Sequence, residues 1–235
     1  MTRLIALGAK REPKIICLAE HWLPGRRAEL SDALPSVRKL AREFGIWIVA
    51  GADFTRREGR TFIESVVFDP AGDEVGRQLK THLFGLEKKV AKPGSEFRIF
   101  DLGDGHRFGI TICHDLVYPE VARMFALRGA DLIFAPAMIG QDGIGPWHLY
   151  LQARSLENRI PIVSPNVLMP PRFRGGSRIL TLTSKGPIVY ASFVARGGTS
   201  EGVFQAEIDL ESAKTYRLAR LKDRRPEIYS GLQGN

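Results

Sequence analysis

Apolar residues in this chain come in short runs, alternating or continuous, broken by polar clusters and by glycine and proline; this is strand patterning more than helix patterning. The runs predict strands at residues 14–19, 46–52, 62–68, 75–79, 98–102, 108–112, 132–135, 162–164, 179–183, 188–191 and 203–208. Turn residues punctuate them at 70–73, 103–105 and 184–187. Helical spacing appears at 35–44, 119–128 and 146–158, each opening on a proline, which suits a first helical turn because its missing N–H is not needed there. Many strands with few helices predict an α/β protein built on two sheets. Neither repeats nor a low-complexity linker divides the chain, so residues 1–235 are expected to form one domain.

The run ending at Cys113 carries the first chemical signal. Phe108, Ile110 and Ile112 alternate with Gly109, Thr111 and Cys113, which predicts a thiol turned away from the main apolar face. His114, Asp115 and Pro119 follow, so strand breaks into helix there, and a sharp elbow leaves backbone N–H groups near the sulfur to hold an oxyanion. A lone cysteine is more often a small buried hydrophobe. The company it keeps changes that reading: the strand at 14–19 ends in Glu20 and the strand at 75–79 in Lys80. Acid, amine and thiol thus all sit at strand ends, where sites gather in layered α/β proteins. At the reference pKa of about 8.5 a thiol is only a few per cent ionised at neutral pH, so Cys113 needs a base or cationic neighbours.

The segments Leu18-Ala19-Glu20, Leu79-Lys80-Thr81-His82-Leu83-Phe84 and Ile112-Cys113-His114-Asp115-Leu116-Val117-Tyr118-Pro119-Glu120 resemble the motifs of the nitrilase superfamily of carbon–nitrogen hydrolases, in that family's chain order. Similarity continues through residues 129–137, Ala153-Arg154-Ser155-Leu156-Glu157-Asn158, Gly176-Ser177 and residues 224–229. The resemblance implies a four-layer α-β-β-α sandwich that associates through its outer helices into a homodimer or larger assembly. It also implies catalytic roles for Glu20, Lys80, Cys113 and Glu87, with the Lys80 ammonium and the His114 backbone N–H facing the oxyanion and Glu87 orienting substrate and lysine. Around the substrate it places His114, Val117, Ala137, Trp22, Arg172 and Arg174. The expected reaction is hydrolysis of a small carboxamide or N-carbamoyl compound with release of ammonia, by a reactive, low-pKa Cys113. A nitrile fits less well, since His114-Asp115 stands where true nitrilases tend to carry Trp-Glu. A catalytically weak scaffold or small-molecule-binding homologue is the competing reading. Two departures stand out: Glu20 comes early, which suggests either a truncated start or a sheet lacking an edge or interior strand, and Val117 stands where many relatives have a substrate-binding arginine.

Composition narrows the partners. The net charge of +8 is scattered, its densest groups at Arg56-Arg57, Lys88-Lys89 and residues 222–225 lying beside acids, so it reads as solvated surface and no nucleic-acid partner is expected. No apolar stretch approaches the ~20 residues of a membrane span and no signal-peptide pattern opens the chain, which predicts a cytoplasmic protein without a membrane partner. His21, His82, His106, His114 and His148 lack metal-ligand spacing, and no phosphate loop is present; neither metal nor cofactor is expected. Cys17 reads as structural.

Overall fold

The computed structural model describes residues 2–23 and 29–229. In chain order the elements are α1 (Thr2–Ala9), β1 (Ile15–Cys17), α2 (Leu30–Phe44), β2 (Trp47–Val49), β3 (Asp53–Arg57), β4 (Arg60–Phe68), β5 (Glu74–Leu79), α3 (Glu87–Val90), β6 (Ile99–Asp101) and β7 (Arg107–Ile110). A 3-10 turn, Cys113–Val117, leads into α4 (Pro119–Leu127), β8 (Leu132–Phe134), α5 (Ile144–Asn158), β9 (Ile162–Ser164), β10 (Leu168–Met169), β11 (Phe173–Arg174), β12 (Arg178–Lys185), β13 (Ile188–Arg196) and α6 (Leu210–Lys222).

Two mixed sheets result. In the first, β1 runs parallel to β2, while β2 and β3 pair in succession with one edge of the antiparallel β4, and β5 takes its other edge. The second has the order β13-β12-β9-β8-β7-β6, with β7, β8 and β9 parallel at its centre. Trp47, Val49, Ile63 and Val67 from the first sheet share one core with Phe100, Phe108, Ile110 and Phe134 from the second. A separate core joins Ile5, Leu30, Leu34 and Val37 of α1 and α2 to Ile48, Val66 and Phe68 on the first sheet's outer face. Phe125 of α4 closes on Gly109, where a Cβ would meet the ring at 2.3 Å, so glycine is what lets this helix lie against β7. The layers are therefore helix, sheet, sheet, helix, as expected. A helix and not a strand precedes β1 among the described residues, and none of their helices is long and apolar enough to cross a membrane.

Elsewhere the patterning needs correction. Residues 203–208 form no strand: the segment passes the end of α1, where Arg11 donates to the Val203 carbonyl and Gln205 donates to the Arg11 carbonyl, with no ladder to join. α2 begins at Leu30, before Pro35, because Leu30 and Leu34 extend its apolar face upstream. α1, α3, α6, β3, β10 and β11 are additional, and α6 is fastened by the buried pair Arg217–Asp131 at 2.6 Å, whose other carboxylate oxygen accepts from the Arg107 N–H. Arg217→Ala leaves that carboxylate buried without its cation. We expect it to cost about 3 kcal/mol or more, read as a fall of roughly 10 °C in Tm; an unchanged Tm would show that α6 is held by other contacts.

Candidate active site

Three strand ends converge on one point between the sheets. Pairing between β1 and the β2–β3 edge continues past Cys17, through Leu18 N–H to Val49 O and His21 N–H to Ala52 O, and carries Glu20 into a bridge with Ala52. Lys80 directly follows β5, with its N–H on Ile63 O. Both side chains are buried, and the Lys80 Nζ lies 2.7 Å from Glu20 Oε1 and 2.7 Å from Glu87 Oε1. Glu87 is aimed by the Phe84 N–H, which donates to its Oε2 at 2.8 Å. From the second sheet comes the buried Cys113, whose thiol lies within electrostatic reach of the Glu20 carboxylate and the Lys80 ammonium. Its φ is +48°, a left-handed conformation uncommon outside glycine. That conformation, rather than strand parity, aims the sulfur: β7 has already ended at Ile110. The Cys113 N–H is taken by Pro136 O and the Asp115 N–H by Ile112 O, leaving the His114 N–H as the free leading donor of the 3-10 turn.

Two buried side chains lock this elbow. The Asp115 carboxylate, fully buried, accepts from the N–H groups of Ile112, Thr81 and His82 and from the Thr81 hydroxyl, and contacts His82 Nδ1 at 2.9 Å. It thereby ties the residue after Lys80 to the turn that bears Cys113. Arg154 of α5 donates to the carbonyls of Leu116 and Val117, gripping the far end of the same turn. Neither role was readable in the sequence, since apart from Ile112 the partners lie more than thirty positions away.

The family model for carbon–nitrogen hydrolases matches residues 2–218. The chain belongs to the carbon–nitrogen hydrolase family. A probable nitrilase from Schizosaccharomyces pombe is 32% identical over 216 residues, covering 87% of this chain and 77% of that protein. A 2-oxoglutaramate amidase from Bacillus subtilis is 29% identical, covering 92% and 86%. Among solved structures, a carbon–nitrogen hydrolase from Helicobacter pylori superposes with a TM-score of 0.85 at 22% identity, covering 100% of this chain and 91% of that one. This likeness supports the sandwich assignment.

Protonation in the site of this carbon–nitrogen hydrolase differs from the expectation of a low-pKa thiol. Burial and the Glu20 carboxylate hold the Cys113 thiol well above its ordinary value, against the pull of Lys80. The resting sulfur is therefore neutral, and its proton must leave as the sulfur attacks. Burial alone would lower the Lys80 pKa, but the Glu20 and Glu87 carboxylates outweigh it, so the amine stays an ammonium. One carboxylate oxygen or ring nitrogen each from Glu20, His21 and Glu87 lies within 4.8 Å of the others, a spacing that suits a cation; the Lys80 ammonium, bonded to both carboxylates, already supplies that charge.

The remaining expected residues divide. Ala137 is bridged to Asn166 and precedes Met138, at the sulfur. Val117 is half-buried, its carbonyl held by Arg154. The His114 imidazole turns outward between Phe84 and Tyr118, at 5.0 and 5.4 Å, so its backbone and not its ring adjoins the sulfur. Trp22 lies in the outer core under α2, its indole N–H on the Ala50 carbonyl, rather than beside Cys113. Arg172 and Arg174 are exposed on the β10–β11 hairpin; Arg174 donates to Pro171 O and Arg172 lies over Phe173, and neither meets Glu20, Lys80 or Cys113. Cys17 is half-buried with its thiol on Leu18 O, which fits a structural role.

Proposed function

We propose that this carbon–nitrogen hydrolase cleaves the C–N bond of a small carboxamide or N-carbamoyl compound, releasing ammonia through a Cys113 thioester. The observation that carries this reading is the Glu20–Lys80–Glu87 cluster, at 2.7 Å on each side of a buried ammonium, with the Cys113 thiol within electrostatic reach of Glu20 and Lys80. Glu20 takes the thiol proton as sulfur bonds to the amide carbon, and the carbonyl oxygen becomes an oxyanion facing the Lys80 ammonium and the His114 N–H. Collapse breaks the C–N bond, the nitrogen taking its proton from Glu20 and leaving as ammonia. Water then adds to the thioester carbon, giving a proton to Glu20, which returns it to sulfur as the acid departs. The amide reading is supported by the relative that is a 2-oxoglutaramate amidase.

The test is ammonia release from a panel of amides, ureido compounds and nitriles. An amide or ureido compound should be the best substrate, and Glu20→Gln should lower its kcat on the order of 10⁴-fold, since both half-reactions lose their proton carrier. Full activity in Glu20→Gln would assign the base elsewhere.

We also propose that α4 and α5 carry a homodimer or larger contact. Leu127 on α4 and Leu149, Tyr150 and Leu156 on α5 are exposed, apolar surface of the kind a second copy covers. Light scattering at micromolar concentration should give a dimer or larger species, and a monomer would contradict this.

A further inference from the structure

His21 is the chemically active side chain of the site that the mechanism above leaves unused. It follows Glu20 with φ +50°, a left-handed conformation for which histidine and asparagine are enriched. Its Nδ1 lies 3.1 Å from Asp53 Oδ1 and its ring stacks on Phe54 at 4.9 Å. Asp53 is fixed in turn, accepting from the N–H groups of Leu23 and Phe54. A nitrogen of this oriented ring comes within 4.8 Å of the carboxylate oxygens of Glu20 and Glu87.

The charges give this placement its meaning. Two carboxylates, Glu20 and Glu87, share one ammonium, Lys80, and the thiol is neutral. Glu20 is 1% exposed, so its charge must be balanced by neighbouring groups and not by solvent. A protonated Glu20 has no capacity to take the Cys113 proton. A second cation at His21 balances the second carboxylate. Burial pulls the His21 pKa down, but the Asp53 hydrogen bond and the charges of Glu20 and Asp53 outweigh burial and Lys80, so the ring titrates above its ordinary value.

We propose that His21, anchored by Asp53, is a positioning residue for Glu20: its imidazolium keeps the Glu20 carboxylate ionised and ready to receive the Cys113 proton. The groups facing it are Glu20, Asp53, Glu87 and Lys80. The inference rests on the reading of Glu20 as the base.

The experiment is the pH dependence of two rates, alkylation of Cys113 by iodoacetamide and kcat/KM for ammonia release, in the wild type, His21→Asn and Glu20→Gln. Asparagine tolerates the left-handed backbone and removes the charge. Both rates should fall on the acid side in the wild type, and His21→Asn should move that limb up by about one pH unit, the scale for losing a cation a few ångströms from a carboxylate. Asp53→Asn, which takes the anion from His21, should move it the same way by less. An unmoved limb in His21→Asn, or a rate lowered equally at every pH, beside a limb that vanishes in Glu20→Gln, would overturn the inference and leave the base assignment standing. A limb that survives Glu20→Gln would overturn the base assignment, and this inference with it.

Discussion

Cys113→Ala should release no measurable ammonia from any substrate that the wild type turns over, a loss on the order of 10⁶-fold if nucleophilic catalysis supplies most of the rate. Cys17→Ala should stay within a few fold of wild type, because that thiol is bonded to the Leu18 carbonyl, on the strand before Glu20. Cys113→Ser should fare little better than alanine. The thiol is already held well above its ordinary pKa by burial and Glu20, so Glu20 must draw off its proton during attack, and a hydroxyl is harder still to ionise. Ammonia release by Cys113→Ala at a tenth of the wild-type rate would remove the thioester from the account.

Asp115→Ala should damage both stability and catalysis without touching the reacting atoms. Its carboxylate satisfies the Ile112, Thr81 and His82 N–H groups together with the Thr81 hydroxyl, all without solvent access to the acceptor. Removing it leaves several donors unpaired at roughly 1–3 kcal/mol each. A total near 4 kcal/mol corresponds to a Tm lower by roughly 10 °C. Catalysis should fall further than stability alone explains, by about 10²-fold or more at a temperature where the variant remains folded, because Lys80 is set by the neighbouring Thr81 and Cys113 by the same turn. Asp115→Asn keeps the acceptor oxygen and should recover part of both losses. Thermal melts and kcat on the folded protein check this; a normal kcat in a folded Asp115→Ala would show that Lys80 and Cys113 are placed without the clamp.

What the sequence made legible follows from the range of each signal. Strand ends at Glu20, Lys80 and Cys113 are local events, visible as an apolar run meeting a polar residue, and the structure brings all three together. Glu87 was placed by family resemblance, and its contact with Lys80 is present. The place of Trp22 was not legible, because an indole beside an acid looks the same whether it faces a pocket or the outer core; its partners, Ala50 and the α2 face, are set by tertiary packing. The exposed places of Arg172 and Arg174 on the β10–β11 hairpin were not legible for a related reason: a basic loop carries no sequence mark of its distance from a site. The protonation state of Cys113 was also beyond the pattern, since burial is the largest influence on it and a single strand does not reveal burial. Asp115 and Arg154 act on residues far along the chain, and His21 acquires meaning only once Asp53 is placed beside it.

The account's central claim is that Cys113 carries the substrate covalently. Its most direct test is acid quenching of the enzyme during turnover of its best amide, followed by intact and peptide mass spectrometry. The account predicts an adduct heavier than the free enzyme by the mass of the substrate less ammonia, mapped to the peptide bearing Cys113 and absent from Cys113→Ala. Ammonia release by wild type with no such adduct at any quench time, or with the adduct on another residue, would contradict it.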